Sequence, residues 1–157
     1  MYMRRTDKEI KDHIELYEIL SKGQIIRLAM AMNNEPYVVP MNYGFKDGEL
    51  YLHSALEGKK IEMLRKNPVV CFEVSVDTEL KTSPSSCGWT FCFRSVIGRG
   101  KAHILTDEKS KIEGLDIIMR HFGSMENSYK PEAVAKTCVI KIVIDELTGK
   151  MSPVGRE

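Results

Sequence analysis

The sequence predicts a mainly β domain of the α+β class, built as an antiparallel barrel or sandwich with a few peripheral helices. Six segments have the composition of strands, whereas three have the periodicity of helices. Turn signals at Asn33-Asn34 and Asp47-Gly48 join neighbouring strands as hairpins. No regular strand–helix–strand alternation is visible, so a parallel sheet is not expected.

The composition is that of one ordinary globular domain. The 157 residues predict a single domain, 1–157. A formal net charge of +1 does not indicate nucleic acid as a partner, and no apolar stretch approaches the ~20 residues of a membrane span. Residues 1–13 are charged and lack the apolar core of a secretory signal, so we expect a cytoplasmic protein. The four cysteines show neither a CxxC pair nor zinc-ligand spacing, which predicts reduced thiols and no metal site.

The first helix and the first hairpin have clear boundary signals. Asp12 and Glu15 form an N-cap pattern that predicts a helix over residues 12–22. The sequence then predicts strands over residues 24–32, 38–43 and 49–53. Because a central strand would lose a ladder hydrogen bond at Pro40, this proline indicates an edge strand, a bulge or a position that faces a ligand.

A helix with a basic start follows the hairpin. Ser54 and Glu57 form a capping box, which predicts a helix over residues 55–66. Its first turn contains Gly58, Lys59 and Lys60. A helix start offers unpaired N–H groups and a positive dipole end, glycine permits close approach, and lysine adds charge. This combination predicts a phosphate site, with two solvated lysines as the alternative.

The second half of the chain contains longer segments. The sequence predicts a strand over residues 69–76, an extended segment over residues 89–105, a helix that begins after Thr106 or Asp107, and a last strand over residues 137–144. Residues 77–88 are polar and are predicted to be a loop long enough to act as a functional flap. Gly98 and Gly100 interrupt the extended segment, which indicates a bulge or a close backbone approach.

Five segments occur in an order and spacing that are characteristic of a known family. They are RLAM (27–30), PYVVPMNY (36–43), LYLHSALEGKK (50–60), NPVVCFEV (67–74) and FRSVIGRGKAH (93–103). Together they resemble the pyridoxamine 5′-phosphate oxidase-related flavoproteins, and they are most similar to the nitroimidazole-resistance (Nim) branch. The resemblance covers about residues 4–150, and the order of the segments is more specific than any one of them.

The resemblance implies an FMN-binding split β-barrel, a Greek-key barrel of about six antiparallel strands. It also implies a homodimer with FMN at the subunit interface. The residues implied to line the isoalloxazine ring and ribityl chain are Val38, Val39, Pro40, Met41 and Asn42. His53 and Ser54 would lie near the flavin, and Lys59 and Lys60 would hold its phosphate. Trp89, Arg94 and Ser95 would close the pocket from the partner subunit.

One departure from the family pattern bears on the reaction. True pyridoxamine phosphate oxidases carry an arginine and a lysine at the ends of the first hairpin strand, where this chain has Tyr37 and Asn42. The resemblance therefore implies a Nim-like, FMN-dependent oxidoreductase rather than an enzyme of vitamin B6 oxidation. It would pass two electrons to a small electrophile such as a nitroaromatic. The alternative is a flavin- or haem-binding module without its own turnover.

Several candidate residues keep two interpretations at this stage. His53 is either a structural histidine or a catalytic proton donor near the flavin. Arg94 either pairs with a carboxylate across the sheet or contacts the flavin. Trp89 belongs either to the core or to a lid over the ring. His121 is predicted to be structural, although His53 or His121 would be the axial ligand if the cofactor were haem.

Overall fold

The computed structural model describes residues 4–153 and confirms a mainly β domain with peripheral helices. The strands are β1 (Glu9–Ile10), β2 (Ile25–Met32), β3 (Glu35–Asn42), β4 (Gly44–Lys46), β5 (Glu49–Ala55), β6 (Val69–Lys81), β7 (Thr90–Leu105) and β8 (Thr137–Ser152). The helices are α1 (His13–Lys22), α2 (Lys59–Lys66), α3 (Glu108–His121) and α4 (Pro131–Ala135). Single 3-10 turns lie at Thr6–Lys8 and Ser86–Gly88.

One antiparallel sheet contains all eight strands. Its order is β3-β2-β6-β7-β8-β5-β4, and β1 adds to β8. The end strands β3 and β4 do not pair with each other in the described part of the chain, so the barrel is split rather than closed. The six longer strands correspond to the six predicted ones. β1 and β4 were not predicted, because segments of two and three residues are too short to show an alternating pattern.

The core is formed by buried apolar side chains of the sheet together with those of α1 and α2. Leu50 and Leu52 of β5 pair with Ile142 and Ile140 of β8, and all four are fully buried. Helix α1 packs its buried apolar side chains against the same core. Gly98 is required here, because a Cβ at this position would overlap the ring of Phe72 on β6. At Gly100 a Cβ would overlap the carbonyl oxygen of Val143, and β7 shifts register between Arg99 and Gly100, so both the close backbone approach and the bulge are observed.

The predicted capping box is wrong. Ser54 lies within β5, and α2 begins at Lys59 with Gly58 at its N-cap and no side-chain cap hydrogen bond. The reason is that the β5–β8 ladder continues through the pair formed by Ala55 and Thr137. A continuous backbone ladder with a partner strand outweighs one local side-chain cap, and it moves the helix start four residues along the chain.

The predicted loop over residues 77–88 is wrong for residues 77–81, whereas residues 82–88 lie between the strands as predicted, with a 3-10 turn at Ser86–Gly88. Strand β6 continues to Lys81 and pairs with the start of β7, forming an exposed two-stranded ribbon beyond a bulge near Asp77. Asp77 itself has a positive φ of 55°. Because both faces of the outer ribbon are exposed, its sequence carries no inside–outside alternation, which is the signal that identifies a strand.

The remaining comparisons concern the edge strand β3, the ends of the predicted domain and membrane-spanning helices. Pro40 lies on β3, an edge strand, which is one of the three alternatives that this proline left open. The predicted domain, 1–157, ends in residues 1–3 and 154–157, which lie outside the described residues. Residues 1–3 also belong to the segment from which a cytoplasmic location was predicted. No helix within residues 4–153 is both long and apolar enough to cross a bilayer.

Candidate functional site

The candidate site lies at the end of the sheet where β5 finishes, α2 starts and β8 begins. The register places His53 opposite Val139 and Ser54 opposite Cys138. Lys59 is the first residue of α2, four residues after the end of β5. The sheet end therefore brings together His53, Ser54 and the two predicted phosphate-binding lysines.

Gly58 sets the direction in which the chain enters α2. Its φ and ψ of 121° and 167° are essentially restricted to glycine, and nothing lies within 4 Å of the position a Cβ would take. The first helical hydrogen bond runs from Glu62 N to Gly58 O at 3.1 Å. The N–H groups of Lys59, Lys60 and Ile61 precede that bond and have no intrahelical acceptor, as at any helix start. They remain available to an anion.

The two lysines differ in their surroundings. Lys59 Nζ lies 2.6 Å from Glu35 Oε1 on β3 and 4.8 Å from the centre of the Tyr37 ring. Lys60 is half-buried, and its side chain forms neither a hydrogen bond nor an ion pair with any residue between 4 and 153. Burial holds the pKa of Lys60 below its ordinary value. Lys60 is therefore the cation with unused bonding capacity, whereas Lys59 already has a carboxylate partner.

His53 is half-buried beside Lys60. Burial lowers the pKa of His53 below its ordinary value, and the positive charge of Lys60 lowers it further. At neutral pH the ring is therefore neutral, with one N–H donor and one acceptor nitrogen. No side chain in the described range forms a hydrogen bond with this ring. His53 can thus donate a hydrogen bond to a ligand without carrying a charge.

The β3 residues predicted to line the flavin ring do not all face the same way. Val38, Pro40 and Asn42 are exposed, whereas Val39 and Met41 are half-buried and pack against the core. This alternation is the ordinary geometry of a strand. A flat ring lying against one face of β3 would therefore contact the side chains of only one of these sets. In the described chain, β3 pairs with β2 along one edge only. The N–H and C=O groups along its other edge could therefore contact a ligand, whichever face of the strand the ring lies against.

The three residues predicted to come from a partner subunit lie far from Lys60 along the sheet. Arg94 and Ser95 pair with Met151 and Lys150 at the end of β8, whereas the candidate site adjoins Cys138 at its start. At about 3.3 Å per residue, this separation along the strand is roughly 40 Å. The register of one chain therefore does not pair these residues with those of the candidate site, and their predicted contribution from a second copy stays a prediction.

Arg94 has its own partners in the chain. It is buried, and its guanidinium lies 2.7 Å from Asp77, 3.1 Å from Glu18 and 3.4 Å from Glu15. Of the two interpretations, the pairing with a carboxylate across the sheet is thus observed, with Asp77 on the neighbouring strand β6. The flavin contact stays a prediction. Trp89 is about half exposed, and its Nε1 donates to Ser83 O at 2.8 Å, so it does not belong to the core.

His121 has a structural role, as predicted. Its Nε2 lies 2.6 Å from the carbonyl oxygen of Gly23, and its ring packs 4.8 Å from that of Tyr43. Because a carbonyl only accepts, Nε2 must carry the proton. His121 is therefore engaged, and His53 is the histidine of the two that keeps its ring nitrogens available.

Glu35, the carboxylate partner of Lys59, was not among the predicted site residues. Glu35 precedes Lys59 by 24 residues and lies at the start of β3. No local spacing connects the two residues, and their contact depends on how β3 passes the start of α2. The positive φ of Gly58 was not predicted either, because the expected helix over residues 55–66 placed this glycine inside its first turn.

Comparison with known proteins gives consistent matches. Residues 12–151 match the family model described as pyridoxamine 5′-phosphate oxidase. The chain is 36% identical to a candidate 5-nitroimidazole antibiotic resistance protein from Bacteroides thetaiotaomicron, with a TM-score of 0.82 over 91% of this chain and 86% of that one. It is 26% identical to an FAD-binding protein from Mesorhizobium loti, with a TM-score of 0.66 over 90% and 95% of the two chains. An uncharacterized Rhizobium meliloti protein is 31% identical over 75 residues, which cover 48% of this chain and 46% of that relative.

Proposed function

Since this chain belongs to the pyridoxamine 5′-phosphate oxidase family, we propose that it binds a flavin through the sheet end formed by β5, α2 and β8. The observation that carries the proposal is Lys60, a half-buried cation without a partner in the described chain, beside the free N–H groups at the start of α2. The FAD-binding relative from Mesorhizobium loti supports a flavin as the ligand.

The residues present fit the phosphate end of a flavin. A phosphate group carries about −1.5 to −2 charges and several strong acceptor oxygens. The site offers the ammonium of Lys60, the Ser54 hydroxyl and the N–H groups that follow Gly58. Backbone N–H groups at a helix start are a common way of binding phosphate. We propose FMN, or the FMN part of a larger flavin, as the group held here.

The proposed activity is flavin-dependent transfer of two electrons to a small electrophile such as a nitroaromatic. The bound flavin would supply the redox chemistry, whereas the protein supplies position and electrostatics. Similarity to the Bacteroides protein supports this class of substrate. Tyr37 and Asn42, in place of the charged residues of true pyridoxamine phosphate oxidases, argue against vitamin B6 oxidation.

His53 is the proposed catalytic residue of this site, acting as a hydrogen-bond donor. It is half-buried, and its lowered pKa keeps the ring neutral at pH 7. The role is therefore that of a neutral hydrogen-bond donor to a flavin or substrate atom, rather than that of an imidazolium ion. A neutral donor orients the ligand and shares a proton without adding a second positive charge beside Lys60.

We further propose a homodimer formed through the outer face of the sheet. The cross-strand row of Pro40, Arg27, Glu73 and Ile97 lies on this face, with Ile25 and Val38 nearby. Ile25, Val38 and Ile97 are 53%, 60% and 41% exposed. Exposed apolar side chains that lie together on a sheet are typical of protein–protein interfaces. A second copy would also supply Trp89, Arg94 and Ser95 to the opposite site.

The first test is the visible absorption spectrum of the purified protein, with the released cofactor identified. Flavin bands, together with retention of added FMN or FAD, are expected. A Soret band would instead support the haem-binding alternative, with His53 as the candidate ligand. A colourless protein that does not bind added flavin would contradict the proposal.

The second test addresses turnover. The flavin-loaded protein is reduced anaerobically and mixed with a nitroaromatic compound, and reoxidation of the flavin is followed by its absorbance. Rapid reoxidation with formation of reduced product supports an oxidoreductase. A flavin that stays reduced in the presence of nitroaromatic and quinone acceptors would support a binding module without turnover.

A further inference from the structure

Strand β3 leaves one of its two edges unpaired in the described part of the chain, because it ends the sheet and pairs with β2 alone. It has eight residues, so this edge is about 26 Å long. Strand β4, at the other end of the sheet, has only three residues. A long exposed sheet edge is a template to which another strand can add, whereas a very short one is not. The free edge of β3 is therefore where the addition of a foreign strand would be expected.

The turn between β2 and β3 sets which residues of β3 direct their backbone groups to this free edge. Asn33 and Asn34 have positive φ values of 51° and 63°, as in a two-residue type I′ turn. In such a turn the N–H of Glu35 bonds to the C=O of Met32. Because the backbone groups of a strand alternate between its two edges, every second residue from Glu35 onwards faces β2. The four residues that face the free edge are Pro36, Val38, Pro40 and Asn42.

A side-chain hydrogen bond supports this assignment independently. Asn67 Nδ2 donates to the carbonyl oxygen of Ala31 at 2.8 Å. Asn67 lies two residues before β6, the strand that adjoins β2 on the side away from β3. The carbonyl of Ala31 therefore points away from β3, so Ala31 and its partner Pro36 form a non-hydrogen-bonded pair. The backbone of Pro36 then faces the free edge, and that of Pro40, four residues later, faces the same way.

Both prolines of β3 thus occupy positions at which a strand offers its donors to a neighbour. Proline has no N–H group, so Val38 and Asn42 are the donors that remain among the four outward residues. All four carbonyl oxygens are retained. Neither proline removes a bond to β2, because the bonds to β2 come from the residues between them. The free edge is therefore rich in acceptors and poor in donors.

The spacing of the prolines disfavours pairing of β3 with the same strand of a second copy. In the antiparallel register that aligns all outward residues of the two strands, position 36 faces position 42, and position 38 faces position 40. Each such pair contains one proline, so each lacks one of its two hydrogen bonds. A carbonyl group that is covered by a partner strand without receiving a donor is unfavourable. Half of the ladder is therefore absent in the register with the greatest overlap.

We propose that Pro36 and Pro40 determine which surface of this chain meets a second copy. They disfavour pairing through the edge of β3, so association is left to the outer face of the sheet, where Ile25, Val38 and Ile97 are exposed. They also leave the outward carbonyl groups of β3 open to a small ligand. The choice of the face rests on the homodimer proposed above, whereas the exclusion of the edge rests on the register of β2 and β3 alone.

The first measurement is amide hydrogen exchange, followed by NMR on the apoprotein of Ile97→Asp, the variant expected to be a monomer. The N–H groups of Tyr37 and Val39 face β2 and should exchange slowly. The N–H of Val38 faces the free edge and should exchange at nearly the rate of an unstructured chain. If Val38 exchanges as slowly as Tyr37 and Val39, the edge is not free and the inference is overturned.

The second measurement restores the missing donors. Pro36→Thr and Pro40→Thr are introduced together into Ile97→Asp, since threonine favours strands and has an N–H group. Association is followed by sedimentation over a range of protein concentrations. The triple variant should associate at concentrations at least about thirtyfold lower than Ile97→Asp, the lower limit for four added hydrogen bonds. The N–H of Val38 should then exchange slowly.

The matched control is Pro84→Thr in Ile97→Asp, because Pro84 is exposed in the loop between β6 and β7 and should not affect association. Circular dichroism and thermal unfolding show whether each variant folds, and the exchange of Val38 in Ile97→Asp decides alone if the triple variant does not. A folded triple variant that is as monomeric as Ile97→Asp overturns the inference. If Ile97→Asp and the wild type have the same oligomeric state, the proposed face dimer fails, and the triple variant compared with Ile97→Asp still tests the edge.

Discussion

Arg94 Nε donates a 2.7 Å hydrogen bond to Asp77 Oδ2 beside the bulge where β6 changes register against β7. The same guanidinium contacts Glu15 and Glu18, so this pair fastens α1 to the sheet. Lys22 also pairs with Asp77. The contact therefore joins a helix, a bulge and a strand, and it lies away from the candidate flavin site of the same chain.

Replacing Arg94 with Met should destabilise the protein. The change removes the cation shared by three carboxylates and leaves them close together, so we expect a loss at the lower end of the roughly 3–5 kcal/mol typical of broken buried pairs. Chemical denaturation measures this loss. Lys101→Met, at an exposed position of the same strand, is the control and should be nearly neutral. The affinity of the folded Arg94→Met protein for flavin is then measured. If Arg94 has only a structural role, this affinity should equal that of the wild type, whereas loss of a flavin contact should lower it.

Asp77 should make the protein sensitive to acid. Its hydrogen bond from Lys22 and that from Arg94 lower its pKa to about 2, from 3.8. A carboxylate whose pKa is depressed by folding contributes stability above its unfolded pKa and loses it as pH falls through the folded value. We expect this contribution to disappear between about pH 3.8 and pH 2. In Asp77→Asn, which suits the positive φ of 55°, the free energy of unfolding should depend less on pH in this window. Identical pH profiles would show that Asp77 is not responsible.

Lys60 should matter more for flavin binding than Lys59. Lys60 has no partner in the described chain, whereas Lys59 must leave Glu35 before it can bind a phosphate. We expect Lys60→Met to weaken FMN binding by roughly 1.5–3 kcal/mol and Lys59→Met by less. Riboflavin, which lacks the phosphate, is the control ligand, and its affinity should not change. If a protein with both Lys59→Met and Lys60→Met binds FMN as tightly as the wild type, these two lysines do not hold the flavin phosphate.

Gly58→Ala should impair both stability and flavin binding. Nothing crowds the position, so the cost is that of forcing a side chain into a φ of 121°, about 1–3 kcal/mol. Gly123→Ala is the matched control, because Gly123 also has a positive φ of 92° and open space around it. Both variants should unfold more readily, but only Gly58→Ala should reduce the affinity for FMN. A similar effect of both on FMN would mean that the α2 start has no special role.

The proposed dimer can be tested on the outer face of the sheet. Ile97→Asp places a charge among the exposed apolar residues of that face and should shift the protein to a monomer in light-scattering chromatography. Ile14→Asp, at a residue 78% exposed on α1, should not. If the wild type is itself a monomer that binds flavin tightly, the shared-site proposal fails.

The sequence by itself determined the strands that alternate between core and surface and the turns that need special backbone angles. Positions such as Leu50 and Leu52 show their burial in their spacing, and Asn33, Asn34, Asp47 and Gly48 take the positive φ that their residue types favour. These features depend on neighbours within a few residues, which is the range that a sequence pattern records.

Only the tertiary structure decided where α2 begins, how far the β6–β7 ribbon extends and which charges meet. The β5–β8 ladder prevailed over the Ser54 cap, and the pairs of Lys59 with Glu35 and of Arg94 with Asp77 join residues 24 and 17 positions apart. The free energy of a ladder or an ion pair depends on a partner that the fold brings close, and local spacing carries no record of that partner.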